Sequence, residues 1–287
     1  MNQHILIIGH GYVGSELARQ LHAVGSTVTA INRTIEASAA YTLLEGDVSD
    51  ADSVSRLKEK LGTPPDAIVH CASSGRGGAD AYRAVFLDGA NNLQATFPGV
   101  PVLFTSSTSV YGQTDGSVVT EESETEPDRE TSRILVEAEK RICSRGGLAL
   151  RLAGIYGPGR SIYLKRILNG SAEIEAGETS RCVNQIHRDD AAGAIIHLIS
   201  RPEAAGQIYN VSDDEPLSQR ECYEQLARFF DVPVPPEAPP NKNRKRAWTH
   251  KIVSNEKIKA TGWQPEYPSF IGALTKDERL VESMRSA

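Results

Sequence analysis

The amino-acid sequence predicts a doubly wound α/β domain built on a parallel sheet, with a smaller lobe toward the C-terminal end. Short apolar, β-branched runs alternate with helix-periodic segments through the first half of the chain, which is typical of βαβ units. The first run leads directly into a glycine-rich turn, and glycine and proline punctuation replaces the alternation after Leu152. We therefore expect a main domain over residues 1–155, to which residues 181–200 return, and a lobe over residues 156–287.

Five apolar runs are predicted to be strands that are buried on both faces of the sheet. They cover residues 5–8, 26–32, 67–72, 100–106 and 148–152. The helices between and after these strands are predicted from the helical spacing of apolar residues. Acids near the start of a helix and glycine or lysine near its end support the prediction. These helices cover residues 13–24, 50–60, about 127–145 and about 189–200.

Composition and charge exclude several classes of protein. The 287 residues include 31 Lys and Arg against 37 Asp and Glu, a formal net charge of −6, whereas a nucleic-acid-binding surface needs an excess of cations. The longest apolar runs are far shorter than the roughly 20 residues of a membrane-spanning helix, and the N-terminal run lacks the features of a secretory signal. The four cysteines are scattered, so we expect a cytoplasmic protein without membrane contact, disulfide framework or metal site.

The glycine-rich turn predicts a dinucleotide site, because a strand precedes it and a helix follows it. It reads Gly9, His10, Gly11, Tyr12, Val13, Gly14. Gly9 permits the tight turn, Gly11 lets a pyrophosphate approach the backbone, and Gly14 lets helix and strand pack closely. The amides at the start of the helix would face the anion.

The end of the second strand predicts a preference for NADP over NAD. An NAD site usually has an acid there that holds the adenosine ribose hydroxyls, but this chain has Asn32 followed by Arg33. An arginine at this position pairs with a 2′-phosphate. The alternative is that Arg33 simply points into solvent.

Seven further segments complete the pattern of motifs along the chain. They are 46–50 (GDVSD), 69–72 (VHCA), 104–112 (FTSSTSVYG), 151–159 (RLAGIYGPG), 186–191 (IHRDDA), 209–211 (YNV) and 261–265 (TGWQP). In this order they resemble the motifs of the extended short-chain dehydrogenases/reductases, the group of NAD-dependent epimerases and dehydratases. The resemblance covers nearly the whole chain and implies a Rossmann domain that binds NADP or NAD, followed by a substrate-binding lobe.

The resemblance also implies which residues contact the cofactor. Asp47 and Val48 match the segment that contacts adenine in the family. Cys71, Ala72 and the following Ser73 match the strand end that runs beneath the cofactor.

The catalytic residues of the family are only partly matched. By alignment, Ser107 takes the place of the hydroxyl that orients the substrate oxygen, although it could instead satisfy the end of a strand. The family's tyrosine acts as acid or base, and a lysine four residues later lowers its pKa. With Glu137 as anchor, these two positions hold Arg129 and Arg133. Arg133 keeps a permanent cation for the ribose hydroxyls, whereas Arg129 cannot act as a proton donor at working pH.

Three explanations for this departure remain open. Another residue supplies the proton, the candidates being Tyr111, Tyr156, Tyr163 and His187, although Tyr111 and Tyr156 are more often packing residues in the family. Alternatively, hydride transfer takes its proton from water or substrate. The third explanation is that turnover has been lost and the fold is an NADP-binding regulator or scaffold.

The lobe is expected to bind the substrate, with Arg160 and Arg181 as candidates for holding a diphosphate. A structural salt bridge is an equal alternative for each arginine. We expect an NAD(P)-dependent oxidoreductase or epimerase/dehydratase acting on a carbonyl or carbinol, with a sugar, a nucleotide sugar or a smaller molecule as substrate. The family resemblance adds a homodimer as an expected assembly.

Overall fold

The structure is a computed structural model that describes residues 3–35, 39–75, 77–125, 129–177, 180–239 and 248–285. The predicted helix start at residues 127–128 lies outside these ranges. The described strands are β1 (His4–Ile8), β2 (Thr27–Asn32), β3 (Thr42–Glu45), β4 (Ala67–His70), β5 (Val102–Ser107), β6 (Val118–Val119), β7 (Leu148–Leu152), β8 (Gly154–Tyr156), β9 (Ile174–Glu175), β10 (Cys182–Val183), β11 (Gln185–His187), β12 (Ile208–Val211), β13 (Leu217–Ser218), β14 (Glu237–Ala238) and β15 (Ile252–Val253).

The described α-helices follow the same chain order. They are α1 (Tyr12–Ala23), α2 (Ala51–Leu61), α3 (Ala79–Tyr82), α4 (Gly89–Thr96), α5 (Glu130–Cys143), α6 (Ile162–Leu168), α7 (Arg188–Ile199), α8 (Gln219–Phe230), α9 (Glu256–Ala260), α10 (Phe270–Lys276) and α11 (Glu278–Arg285). A π-helix covers Arg83–Asp88, and 3₁₀ turns cover Thr108–Val110 and Pro202–Ala204. Within the described ranges, every helix is too short or too polar to cross a lipid bilayer.

Seven strands form the central sheet in the order β12-β7-β5-β4-β1-β2-β3. The pairs β1·β2, β2·β3, β1·β4 and β4·β5 are parallel, so the carboxyl ends of these five strands lie along one edge. The chain order reverses between β1 and β4, and open sheets of this kind bind ligands at such a switch point. The expected doubly wound parallel sheet is confirmed, and its switch point lies where β1 enters the glycine-rich turn.

The predicted elements of the first half form for the predicted reasons. Helix α2 begins where the Asp50 side chain accepts a hydrogen bond from the Asp52 amide, and it ends at Gly62, whose φ of +68° favours glycine. The apolar stripe of α1 is buried, as its spacing predicts. Two regions were not predicted from the sequence. The central leucines of β3 are only half-buried, and in the helical region 79–96 a π-helix interrupts the usual spacing.

The chain divides into two compact units. The first contains 1–110, 129–151 and 192–209, and the second contains 111–128, 152–191 and 210–287. This division differs from the expected one because the loop after β5 groups with the second unit and the returning segment is 192–209. In the second unit, α8 begins with a capping box in which the Ser218 hydroxyl accepts from the Glu221 amide. The apolar face of α8 packs in a core shared with α6 and α10.

A buried ionic network ties α5 to the sheet in the first unit. Arg151 on β7 donates from Nη2 to Glu139 Oε2 on α5 at 2.7 Å, and both side chains are almost fully buried. The hydroxyl of Ser106, near the end of β5, donates to the other carboxylate oxygen. Because both charges are desolvated, each depends on the other for compensation. The network therefore ties the C-terminal half of α5 to the ends of β5 and β7.

Glu139→Gln is expected to lower the free energy of unfolding by about 3–5 kcal/mol, since it leaves the Arg151 charge buried without a counterion. Chemical denaturation measures this change. As the matched control, Glu203→Gln removes an exposed partner of Arg201 and is expected to change the free energy of unfolding little. Equal small losses in both variants would contradict the assigned role of the buried pair.

Candidate dinucleotide and active site

The glycine-rich turn packs directly against the chain that leaves β4. The amides of Gly9 and His10 donate to the carbonyl of Ile31 at 3.0 and 3.1 Å, which fixes the turn to the end of β2. Gly9 has a φ of +101°, and a Cβ there would lie 2.4 Å from the Cα of Ala72. Both the backbone conformation and the close approach therefore require glycine at this position.

Gly14 and Gly11 differ in whether the protein itself requires a glycine. A Cβ on Gly14 would lie 1.9 Å from the carbonyl oxygen of Gly9, so helix–turn packing excludes a side chain. A Cβ on Gly11 would meet nothing within 4 Å among the described residues, and its φ of −95° is open to any residue. The fold does not explain a glycine at this position, whereas close approach of a pyrophosphate does. Gly11 thus fits a dinucleotide on the basis of its own geometry.

The start of α1 supports the same assignment. Gly11 is the N-cap residue, and within the described chain neither a capping side-chain hydrogen bond nor an acid occurs in the first turn. The amides of this turn thus remain suited to an anion. Val13 is buried against the core, and Tyr12 is half-buried beside it.

His10 links the turn to the start of β3. Its Nε2 lies 2.7 Å from the hydroxyl of Tyr41, and burial lowers the pKa of His10 below its usual range. A neutral imidazole in this hydrogen bond positions the turn without adding charge. The sequence alone carries no indication of the Tyr41 partner.

Arg33, Gly46 and Asp47 line one cavity beside the ends of β2 and β3. Asn32, which precedes Arg33, donates from its amide to the Thr34 carbonyl at 3.2 Å. Asp47 Oδ1 accepts from the amide and hydroxyl of Ser49 at 2.9 and 2.7 Å, so the carboxylate is held in a defined orientation.

The segments that were predicted to flank the adenine and to lie beneath the cofactor have structural contacts of their own. The carbonyl of Val48 accepts from Asn92 at 2.9 Å, and its side chain is buried. The Cys71 thiol donates to the Gly9 carbonyl at 3.3 Å, and burial raises its pKa to about 12. Cys71 is therefore a neutral packing group beneath the turn, while the Ser73 hydroxyl accepts from the Gly75 amide at 3.2 Å.

Ser107 ends β5, two strands from β1 in the sheet. It is half-buried, and its Oγ accepts from the Ser109 amide at 3.2 Å. Because this bond uses the oxygen as acceptor, the hydroxyl hydrogen can still be donated. The position thus combines the strand-end role with the capacity to orient a substrate oxygen.

The start of α5 lies against the loop that follows Ser107. The Ser132 hydroxyl donates to the Ser109 carbonyl at 3.3 Å, a contact that the sequence analysis missed because a serine inside a helical pattern carries no distinctive signal. Arg129 is the half-buried N-cap residue of α5, and Arg133 is exposed one turn later. The structure therefore brings Ser107 and the first turn of α5 into the same region of the first unit.

The alternative proton donors are buried in the second unit. Tyr111 is fully buried and donates its hydroxyl to Asn210 Oδ1 at 2.8 Å, while its carbonyl accepts from Lys251 Nζ at 2.7 Å. Tyr156 is also buried, and burial raises its pKa above the usual range. This packing favours the structural alternative for both tyrosines.

The substrate candidates Arg160 and Arg181 differ in their surroundings. Arg160 is exposed, and its backbone pairs with Gly157. Arg181 is mostly buried and donates to Glu175 Oε1 and to the Tyr163 hydroxyl, both at 3.2 Å. The other oxygen of Glu175 accepts from Trp248 at 3.1 Å, so its carboxylate is engaged on both sides.

One cluster among the described residues has the spacing of a metal site. Ligand atoms of His187, Asp189 and Asp277 lie within 4.8 Å of one another. Arg279 donates to Asp277 Oδ1 at 2.7 Å and to Asp189 Oδ2 at 2.8 Å. His187 Nδ1 accepts from the Asp189 amide at 3.2 Å. Arg279 therefore compensates the negative charges of Asp189 and Asp277, and the cluster is an ion-pair network that joins α7 to α11.

Gly11→Ala is expected to weaken dinucleotide binding at least about tenfold while changing the unfolding midpoint little, because its Cβ fits the protein but obstructs a pyrophosphate. Gly14→Ala is the matched comparison, and its backbone clash is expected to lower the unfolding midpoint. Thermal unfolding and fluorescence titration with NADH and NADPH measure the two effects. Unchanged nucleotide affinity in a folded Gly11→Ala variant would contradict the assignment of the turn.

Comparisons with known proteins agree with this geometry. Protein YeeZ of Escherichia coli strain K12 is 31% identical over 282 residues, which cover 92% of this chain and 96% of that protein. A UDP-glucose 4-epimerase of Vibrio cholerae is 27% identical over 261 residues, covering 82% and 78%. The UDP-glucose 4-epimerase of Thermus thermophilus in complex with NAD shares the fold, with a TM-score of 0.81 at 20% identity over 99% of both chains.

A family model also matches most of the chain. It describes the NAD-dependent epimerase/dehydratase family, and it matches residues 5–212, from β1 through β12. This range contains the glycine-rich turn, the β5 end with Ser107, and α5. The chain belongs to the NAD-dependent epimerase/dehydratase family.

Proposed function

We propose that the protein is an NADP(H)-dependent oxidoreductase that acts on a carbonyl or carbinol substrate. The observation that carries the proposal is Gly11, a glycine that neither backbone conformation nor protein packing requires and that lies at the start of α1. Its position at the switch point of the sheet supports a bound pyrophosphate. Arg33, where an NAD site usually has an acid, supports the preference for NADP.

Ser107 is the residue that we assign to the substrate oxygen. NADPH held at the glycine-rich turn would supply the hydride for a carbonyl carbon, and the carbonyl oxygen would need one proton to become the alcohol. The Ser107 hydroxyl orients that oxygen by donating a hydrogen bond, because the bond from the Ser109 amide uses only the oxygen and leaves the hydroxyl hydrogen available. With Arg129 in place of the family's tyrosine, water supplies the proton, and Arg133 provides the permanent positive charge near the ribose.

The contacts of Arg181 support a substrate without a diphosphate group. Its guanidinium is already paired with Glu175 and with the Tyr163 hydroxyl inside the second unit. A diphosphate would have to displace the carboxylate, which is nearly buried and also held by Trp248. A sugar or smaller carbonyl compound that lacks this group avoids that cost.

Glu175→Gln is expected to increase the affinity for UDP-glucose by about tenfold, because it removes the negative charge that competes for Arg181. Glu237→Gln, which removes an acid paired with a different arginine of the same unit, is the matched control and is expected to change this affinity little. Isothermal titration with UDP-glucose compares the variants with the parent protein. If the parent protein already binds UDP-glucose tightly and Glu175→Gln leaves this affinity unchanged, the proposal of a substrate without a diphosphate group is contradicted.

A second function is supported by Arg129 and Arg133 themselves. A chain that has lost the tyrosine and the lysine retains a dinucleotide site, so it can act as a regulator or scaffold that senses the cofactor. This alternative predicts saturable NADPH binding without turnover on any substrate. It differs from the oxidoreductase proposal in the role of Ser107, which would then be limited to the strand end.

Ser107→Ala is expected to lower kcat for NADPH-dependent carbonyl reduction by about 10²-fold while cofactor affinity changes less than about twofold. Ser109→Ala is the control, because it keeps the backbone amide that bonds to Ser107 and alters only an exposed hydroxyl. NADPH oxidation over a panel of carbonyl compounds and sugars provides the measurement. Saturable binding with no turnover across the panel would instead favour the regulator.

A further inference from the structure

A cavity of about 390 Å³ beside the ends of β2 and β3 has walls from three elements of the first unit. Arg33 comes from the segment after β2, and residues 45–47 come from the end of β3. The third wall is one face of α2. The residues that line the cavity are Arg33, Glu45, Gly46, Asp47, Ser53, Arg56, Leu57 and Lys60.

The α2 wall adds two cations to the one from β2. Arg56 and Lys60 are four residues apart, so they lie on the same face of the helix, one turn from each other. Lys58 and Glu59 lie between them in sequence but do not line the cavity. The helix thus directs two positive charges to the side where Arg33 lies.

These cations remain available to a ligand. Arg56 makes an ion pair with Asp50 at 3.5 Å in which both side chains are more than half exposed, and such pairs are readily exchanged. Among the residues that the structure describes, Arg33 and Lys60 make no ion pair. Of the two acids that line the cavity, Asp47 is already hydrogen-bonded to Ser49.

We propose that Arg56 and Lys60 form, together with Arg33, a binding site for the phosphate ester on the adenosine ribose of the cofactor. A phosphate monoester carries a charge of about −1.5 to −2 at neutral pH, so it requires more than one cation for compensation. A single arginine after β2 is open to solvent, whereas three cations around a cavity offer contacts from two directions. Helix α2 thereby contributes to the selection of NADP over NAD. The inference rests on the proposed function and adds residues that the strand-end position alone does not identify.

The test compares Arg56→Gln and Lys60→Gln with Lys58→Gln as the matched control on the same helix. NADPH, NADH and adenosine 2′,5′-bisphosphate are titrated against the full chain at low ionic strength, where screening is weak. Arg56→Gln and Lys60→Gln are each expected to weaken the binding of NADPH and of the bisphosphate by about three- to tenfold and to leave NADH within about twofold. Lys58→Gln is expected to leave all three affinities within about twofold.

Two results would overturn the inference. Unchanged NADPH affinity in both variants would remove α2 from the site, and an equal loss for NADPH and NADH would reveal a general effect on the fold or the adenine. In either case, intact NADPH binding by the parent chain leaves the proposed function standing. Failure of the parent chain to bind either dinucleotide would instead contradict the proposed function itself.

Discussion

The contact between the glycine-rich turn and the chain leaving β4 is the constraint on which the site depends. Gly9 approaches Ala72 too closely for any side chain, and the Cys71 thiol donates to the carbonyl of Gly9 beneath the turn. These contacts fix the direction in which α1 leaves the sheet. They leave open space beside Gly11 at the start of α1, as close approach of a pyrophosphate would require.

A second constraint positions the catalytic side of the same unit. The buried pair of Glu139 and Arg151, joined by the Ser106 hydroxyl, holds α5 against β5 and β7. Ser107 follows Ser106 directly, so the network that stabilises α5 also sets the strand end from which the Ser107 hydroxyl projects. Arg129 and Arg133, at the positions that the family resemblance assigns to a tyrosine and a lysine, lie at the start of this same helix.

The charge distribution connects these local features with the whole chain. A formal net charge of −6 hides a local group of cations, Arg33, Arg56 and Lys60, that line one cavity of the first unit. In the second unit, by contrast, the positive charge of Arg181 is compensated by the carboxylate of Glu175. Of these arginines, those that line the cavity are therefore better placed than Arg181 to bind an anion.

Much of the fold was predictable from the sequence because strands buried on both faces are apolar throughout, and because Gly62 and Asp50 mark the ends of α2 in the expected way. The edge strand β3 was not predictable, since half-burial leaves it without a long apolar run. The spacing of its glycines identifies the glycine-rich turn. Only the positions of neighbouring atoms show that packing requires a glycine at Gly14 and does not require one at Gly11. Long-range partners such as Asn210 for Tyr111, 99 positions apart, leave no local pattern at all.

The most direct test of the account is a crystal structure of the protein with NADPH. We expect the pyrophosphate to lie over Gly11 at the amides of α1, with the ribose phosphate at Arg33 and the nicotinamide on the side of Ser107. A dinucleotide bound away from residues 9–14 would contradict it.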